Sequence, residues 1–127
     1  MPEVLVGVGV DVCDVERMRR SLNRTAGFAD RVFTEAEQGY CRRARDPSER
    51  FAVRFAAKEA TLKALGEGLG ACRLRDIEVV RSASGAPVLV LHGTAAALAA
   101  RHGVRRWHVS LTHTAIVAEA VVVAVGT

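Results

Sequence analysis

The chain has 127 residues, a length that predicts a single domain over residues 1–127. Half of the residues are hydrophobic but only 5% are aromatic, and the formal net charge is +4 with a sequence pI of about 9.5. This balance favours anionic partners: nucleic acids, nucleotides, acidic proteins or lipid headgroups. Three cysteines without a C-x-x-C pair predict neither a disulfide framework nor a zinc site.

The chain also lacks the sequence signals of a membrane or secreted protein. No apolar run approaches the roughly 18 residues that a membrane helix needs. Charges at Glu3 and Asp11 come too early for a signal peptide. We therefore expect a cytoplasmic protein with reduced cysteines and no membrane partner.

The first part of the chain predicts a strand followed by two helices. The segment VLVGVGVDV, residues 4–12, is apolar and β-branched and then stops at charge, which predicts a buried strand. Asp14 can cap a helix that runs to about Arg24. Thr34 and Glu37 have the spacing of a capping box, which predicts a second helix ending near position 44.

A third and longer helix has the strongest start signal in the chain. Residues 46–49 read Asp-Pro-Ser-Glu, which supplies a cap, a proline at the first helical position and an acidic residue in the first turn. The apolar spacing continues to Leu65, and Gly66 ends the helix.

The second part of the chain predicts four strands and one helix. IEVVRS (77–82) and PVLVLH (87–92) are strands joined through the turn segment SASGA, and an alanine-rich helix follows over 94–102. WHVSLTH (107–113) and AEAVVVAV (118–125) predict two neighbouring antiparallel strands. The order of elements predicts an α+β fold with a largely antiparallel sheet and a long central helix.

The long helix carries two opposite charges on its apolar side. Phe55 and Leu62 mark that side, Lys58 falls inside it, and Glu59 lies at its edge. In one interpretation Glu59 pairs with Lys63 four residues later or extends to water. In the other, this flank of the helix lines a polar site.

Asp11 is a second candidate, because it follows two glycines in an otherwise apolar strand. It is either a turn residue at the end of the strand or a carboxylate that needs a partner. Asp11 and Glu59 together could offer carboxylate oxygens to Mg²⁺, which keeps its other positions for water and phosphate. Lys58 and Lys63 would then meet phosphate charge.

The strand WHVSLTH places His108, Ser110 and Thr112 on one face. These residues form either the wet side of a sheet or a surface for a phosphate or ribose. His113 follows as a turn residue or a proton-transfer group.

Several arginines also lack an obvious role in the core. Those of the first helix are either a solvated face or a docking patch for an acidic surface, and they are Arg17, Arg19, Arg20 and Arg24. Arg50 and Arg54 fall on the flank of the long helix that periodicity predicts to be solvated. The segment GEGLGA matches G-x-G-x-x-A, but it follows a helix and precedes a strand, the reverse of a dinucleotide-binding turn.

Three segments in order resemble the holo-acyl-carrier-protein synthases, the short class of 4′-phosphopantetheinyl transferases. GVGVDVCDVERM (7–18) resembles the first motif of that family, RFAAKEATLKALG (54–66) resembles the second, and WHVSLTHT (107–114) resembles its C-terminal strand motif. The resemblance spans nearly the whole chain. It implies the α+β fold of that family, as a homotrimer whose active sites lie between subunits.

The resemblance also implies a reaction: transfer of the phosphopantetheine arm of coenzyme A to a serine of apo-acyl carrier protein, with release of 3′,5′-ADP. Asp11 and Glu59 would hold Mg²⁺, Lys63 would assist at the phosphate, and Arg17 and Arg24 would dock the carrier protein. The implied coenzyme-binding residues are Arg54, Lys58, Lys63, Gly66, His108, Ser110 and Thr112. A neighbouring subunit would then cover the flank that carries Arg54.

The serine hydroxyl needs a general base, for which Glu59, a metal-bound water and His113 remain candidates. The alternative function is a small basic module that binds carrier protein or nucleic acid without catalysis. Aromatic and basic residues do not alternate on any predicted element, so no stacking surface for nucleic acid is expected. The sequence leaves open which carrier protein is served and whether acylated coenzyme is accepted.

Overall fold

One long helix packs across a three-stranded antiparallel sheet in the computed structural model, which describes residues 2–127. The sheet has the order β1-β5-β4, with β1 at Val4–Asp14, β4 at Val104–His113 and β5 at Val117–Gly126. The long helix, α4, covers Pro47–Ala64 and contacts β1 and β5. The predicted α+β class, with its antiparallel sheet and long central helix, is confirmed.

Shorter elements surround this centre. The helices α1 (Val15–Arg24), α2 (Phe28–Val32) and α3 (Glu35–Arg42) precede α4. After α4 come a 3-10 turn at Leu74–Asp76, the antiparallel hairpin of β2 (Ile77–Arg81) and β3 (Pro87–Leu91), and helix α5 (Gly93–Arg101). The predicted strands and helices are all present, although α3 ends two residues before position 44.

The helix starts follow the capping signals of the sequence. Asp14 accepts a hydrogen bond from the first turn of α1, and Asp46 does the same for α4. Thr34 and Glu37 form both hydrogen bonds of the capping box at the start of α3. Helix α2 was not predicted, because its N-cap residue is Gly27, which has φ +78° and no side chain that could cap the helix.

Two glycines of β1 allow that strand to lie directly on α4. A Cβ atom on Gly9 would lie 1.9 Å from the carbonyl oxygen of Ala60, and one on Gly7 would lie 1.8 Å from that of Ala64. Only glycine permits this approach, since real Cβ contacts are never so short. The end of β1 is thereby held beside the middle of α4.

The prediction of a buried first strand is only half right. The helices cover one face of the sheet, and the side chains on the other face of β1 and β5 remain exposed. We call these residues the outer valine face: Val8, Val10, Val12, Val117 and Val121. Those on β1 are 51–61% exposed. An apolar face of this kind is typical of an interaction surface.

Over residues 2–127, no helix combines the length and the apolar composition needed to cross a bilayer.

Candidate active site

The structure brings together Asp11 of β1 with Glu59 and Lys63 of α4. Lys63 Nζ donates hydrogen bonds to Asp11 Oδ1 at 2.8 Å and to the carbonyl oxygen of Val10 at 3.2 Å. The interpretation in which Lys63 neutralises Glu59 is therefore wrong, because the ion pair of Lys63 is with Asp11. Glu59 forms no ion pair with a residue in the range 2–127.

The charge of Asp11 affects the ionisation of Glu59. Partial burial, and then the negative charge of Asp11, raise the pKa of Glu59 to about 7. Asp11 Oδ2 is buried and accepts no hydrogen bond in the described part of the chain. A buried carboxylate oxygen without a donor is costly unless a cation or a shared proton satisfies it.

These two carboxylates fit a hard divalent cation. Carboxylate oxygens are the protein ligands that Mg²⁺ prefers, and the ion commonly uses only one or two of them. No group of three or more His, Cys, Asp or Glu side chains in residues 2–127 forms a closed metal site. Asp11 and Glu59 would therefore leave most coordination positions free for water and substrate.

A cavity of about 360 Å³ opens beside Glu59 and reaches the first helix. Its wall includes Arg17, together with apolar side chains such as Phe28 and Phe55. Arg24 lines a separate depression of about 340 Å³ at the far end of α1. The two predicted docking arginines thus lie along one side of α1, both exposed.

The arginines of α1 differ in whether an acidic side chain of the same chain pairs with them. Arg19 pairs with Glu16 and with Asp46, so it does not belong to an unpaired patch. Arg17, Arg20 and Arg24 form no ion pair with the residues described, and they remain available to an acidic partner.

Cys13 also lines the cavity beside Glu59. Burial, together with the charges of Glu59, Asp11 and Asp14, raises the pKa of its thiol to about 11. The thiolate is therefore scarce at neutral pH, and Cys13 is a poor nucleophile. All three cysteines are free thiols, in agreement with the sequence-based expectation.

Lys58 does not face a phosphate site, which corrects its predicted role as a coenzyme ligand. Its side chain is fully buried and pairs with Glu37 Oε1 at 2.8 Å. It also donates to the carbonyl oxygens of Leu74, at 3.1 Å, and Ile77. The three donors of the ammonium group are used inside the protein, so none remains for a ligand.

A second polar site, which we call the arginine cluster, consists of Arg50, Arg54 and Arg81 around the ring of Tyr40. Their guanidinium carbons lie 4.1, 4.4 and 5.5 Å from the centre of that ring, in that order. Arg81 also donates to the Tyr40 hydroxyl at 2.7 Å. No carboxylate in the described chain pairs with any of the three arginines.

Arg54 is only 5% exposed, so the prediction that its flank of α4 is solvated is wrong. Its Nε atom is buried and has no hydrogen-bond partner within residues 2–127. Tyr40, Arg50 and Arg81 were not predicted as site residues. Tyr40 reaches Arg54 from α3 and Arg81 reaches it from β2 through tertiary packing, whereas Arg50 lies one turn before Arg54 on α4.

The arginine cluster lines a cavity of about 400 Å³ that also includes His113. His113 Nδ1 lies 3.2 Å from Glu49 Oε1, so its polar contact is with the start of α4. This cavity shares no lining residue with the one beside Glu59. Within one chain, the structure therefore does not bring His113 to the carboxylates.

The remaining predicted residues lie at the surface. His108, Ser110 and Thr112 are exposed on the outer face of β4, as their alternation predicts, and none hydrogen-bonds through its side chain to another described residue. Gly66 follows α4 with φ +69° and opens the loop over 66–73.

Comparison with known proteins gives a consistent family. The model of the 4′-phosphopantetheinyl transferase superfamily matches residues 7–122. A holo-[acyl-carrier-protein] synthase of Frankia casuarinae is 52% identical over 120 residues, which cover 94% of this chain and 97% of that protein.

Solved structures agree with the sequence comparison. A holo-(acyl-carrier-protein) synthase of Bacillus anthracis in complex with CoA (3′,5′-ADP) has a TM-score of 0.79 and 31% identity, covering 97% of this chain and 98% of that one. The holo-[acyl-carrier-protein] synthase of Helicobacter pylori in complex with coenzyme A has a TM-score of 0.81 and 29% identity, over 92% and 98%.

Proposed function

The chain belongs to the 4′-phosphopantetheinyl transferase superfamily and, within it, to the holo-[acyl-carrier-protein] synthases, and we propose that it uses Mg²⁺ to transfer the phosphopantetheine arm of coenzyme A to a carrier-protein serine, releasing 3′,5′-ADP. The observation that carries this proposal is the pair of facing carboxyl groups of Asp11 and Glu59, with one buried oxygen left without a donor.

Asp11 and Glu59 would hold Mg²⁺ through their carboxylate oxygens. The bound ion would neutralise negative charge on the pyrophosphate of the coenzyme, which phosphoryl transfer requires. Lys63 already lies against Asp11 with a side chain that is 54% exposed. Two of its three donors are used within the chain, so the third can approach a phosphate oxygen.

Glu59 would also accept the proton of the attacking serine. The position of Glu59 supports this role, because it lines the cavity that also holds the docking residue Arg17, where the serine would arrive. His113 contacts Glu49 in the other cavity of the same chain, so it could take part only from a neighbouring subunit.

The arginine cluster would bind a phosphate group at the nucleotide end of the coenzyme. Three guanidinium groups without a carboxylate partner create a strongly positive cavity, and guanidinium groups match phosphate geometry with paired hydrogen bonds. The unpartnered Nε of Arg54 supports the same assignment. Gly66 would let the loop after α4 pass close to the coenzyme.

A homotrimer would complete the site from two subunits. Glu59 and Arg54 are five residues apart in α4, so their side chains point about 140° away from each other. One coenzyme could therefore meet the carboxylates of one subunit and the arginine cluster of its neighbour. The outer valine face supplies an apolar surface for such an assembly, and His108, Ser110 and Thr112 lie on the same side of the sheet.

Docking of the acidic carrier protein is assigned to Arg17 and Arg24. Arg17 shares a cavity with Glu59, so a carrier protein bound along α1 could present its serine to the carboxylates. Arg24 would extend the contact along the helix. Exposed charges of this kind mainly raise the association rate and select the partner.

The test is intact-mass spectrometry of an apo-acyl carrier protein after incubation with this protein, coenzyme A and Mg²⁺. We expect a gain of one phosphopantetheine arm, which EDTA and the Glu59→Gln substitution both abolish. Glu35→Gln is the matched control, because Glu35 is exposed and distant from the site in sequence. If several carrier proteins bind to the protein and none gains mass, the chain is a binding module without catalysis.

A further inference from the structure

A buried ion pair at the centre of the molecule has no part in the chemistry proposed above. Glu37 of α3 and Lys58 of α4 are 2% and 0% exposed, and their charged atoms lie 2.8 Å apart. Burial lowers the pKa of Lys58, and the charge of Glu37 opposes that shift. A buried ion pair is often no more stabilising than apolar residues of the same volume. Stability alone therefore does not explain it.

The ion pair joins three elements. Lys58 holds the 3-10 turn and the first residue of β2 through the carbonyl oxygens of Leu74 and Ile77. Glu37 Oε2 accepts a hydrogen bond from the backbone N–H of Val79 in β2, at 2.9 Å. Helix α3 and strand β2 are thus both fastened to the middle of α4.

The arginine cluster begins directly beside this junction. Tyr40 lies one turn after Glu37 on α3, and Arg81 lies two residues after Val79 on β2, so it points to the same side. A cavity of about 110 Å³ separates the ion pair from the cluster. Its lining includes Glu37, Tyr40, Arg54, Val79 and Arg81.

The cluster needs such support. Its three guanidinium groups carry the same charge around one ring, and like charges at this distance repel one another. The hydrogen bond from Arg81 to the Tyr40 hydroxyl opposes this repulsion, and it joins α3 to β2. Glu37 connects the same two elements, because its side chain accepts the Val79 N–H while it pairs with Lys58.

We propose that Glu37 and Lys58 are positioning residues for the coenzyme. They hold Tyr40 and Arg81 against Arg54, and so keep the arginine cluster in the arrangement that binds phosphate. This inference rests on the proposed function. It predicts that loss of the ion pair weakens binding of the coenzyme and leaves the carboxylate site, and with it the chemical step, intact.

The main test is the double variant Glu37→Gln/Lys58→Met, which removes both charges and leaves neither buried alone. We expect the KM for coenzyme A to rise about tenfold, the effect of losing roughly one charge-assisted hydrogen bond. The kcat and the KM for carrier protein should stay within about twofold. Leu98→Ala, in the core formed by α5, is the control for lost stability alone, and it should change neither KM.

A second variant keeps the inference testable if the double variant does not fold. Tyr40→Phe removes only the hydroxyl that accepts the hydrogen bond from Arg81. We expect the KM for coenzyme A to rise about threefold without loss of thermal stability, since the ring and its cation–π contacts remain.

A combination of variants separates positioning from general destabilisation. If the ion pair acts through Arg81, adding Arg81→Gln to the double variant should raise the KM for coenzyme A no further, because residues that act in one network are not additive. The inference is overturned, and the proposed function left standing, by either of two results. One is that the effects of the double variant and of Arg81→Gln on the KM for coenzyme A multiply. The other is that an active double variant keeps the KM of the wild type. A wild-type protein that neither transfers the arm nor binds coenzyme A in calorimetry would overturn both.

Discussion

Replacing Glu59 by glutamine should stabilise the metal-free protein above neutral pH while it abolishes transfer. The folded protein raises the pKa of Glu59 from its ordinary 4.5 to about 7. Folding therefore favours the protonated form of Glu59. The resulting stability is fully present below about pH 4.5 and is lost as the pH rises through about 7. Glutamine keeps a neutral side chain at every pH and avoids this loss.

The size of the effect follows from the shift and from the exposure of the side chain. At about 1.4 kcal/mol per pKa unit, the rise from 4.5 to about 7 corresponds to at most about 3.5 kcal/mol. Glu59 is partly open to water, which screens its interaction with Asp11 and reduces the difference in unfolding free energy to about 1 kcal/mol. In a domain of this length, that corresponds to about 4 °C in Tm.

The assay is thermal unfolding of both proteins in EDTA, between about pH 5 and pH 8.5. The Tm of Glu59→Gln minus that of the wild type should increase by about 4 °C over this range. Mg²⁺ at the higher pH should then raise the Tm of the wild type alone, because it binds the folded carboxylates. A Tm difference that does not change with pH, or equal stabilisation by Mg²⁺, would refute the account of the two carboxyl groups.

Three further predictions concern the strand–helix contact, the assembly and the docking patch. Gly9→Ala should lower the unfolding free energy by about 3 kcal/mol or more, because the new Cβ would overlap the Ala60 carbonyl oxygen. Gly39→Ala in α3 is the control and should stabilise the protein. Equal Tm values for the two variants would contradict this prediction. Val121→Glu, on the outer valine face, should convert a homotrimer to monomers in light scattering, and a wild-type monomer would contradict the assembly. Arg17→Glu should weaken carrier-protein binding in calorimetry and leave coenzyme binding intact; equal losses would mean that the docking assignment is wrong.

The parts of the fold that were predictable are those with a local cause. Asp14, Thr34 with Glu37, and Asp46 start helices through hydrogen bonds to the next turn, so the signal lies within four residues. Helix α2 has no such cap and was missed. The exposure of the outer valine face was also missed, because a strand of alternating valine and glycine has an apolar pattern whether one face is covered or both.

The candidate site was predictable to the extent that it lies on one strand and one helix. Asp11 and Glu59 stood out as carboxylates among apolar neighbours, and the two preceding glycines indicated the close approach that brings them together. The arginine cluster was not predictable, since Tyr40 and Arg81 reach it from α3 and β2. The role of Lys58 depends in the same way on Glu37, twenty-one residues earlier in the chain.

The charges of α4 are explained by how completely the helix is covered. Twelve of its eighteen residues are buried, so the helix has little of the solvated side that a simple amphipathic pattern assumes. A charged residue there must find a partner in the fold or be reserved for a ligand. Lys58 and Lys63 have partners in Glu37 and Asp11.

Arg54 and Glu59 have no partner of opposite charge within the described chain. Arg54 lines the cavity assigned to coenzyme phosphate, and Glu59 lines the cavity assigned to the metal. Their lack of partners therefore argues for function on each flank of α4 independently. Since the flanks point in different directions, a reaction that needs both requires a second subunit. The Val121→Glu variant tests that requirement when its assembly state and its transfer rate are measured together. Monomers that retain full activity would show that one chain is enough.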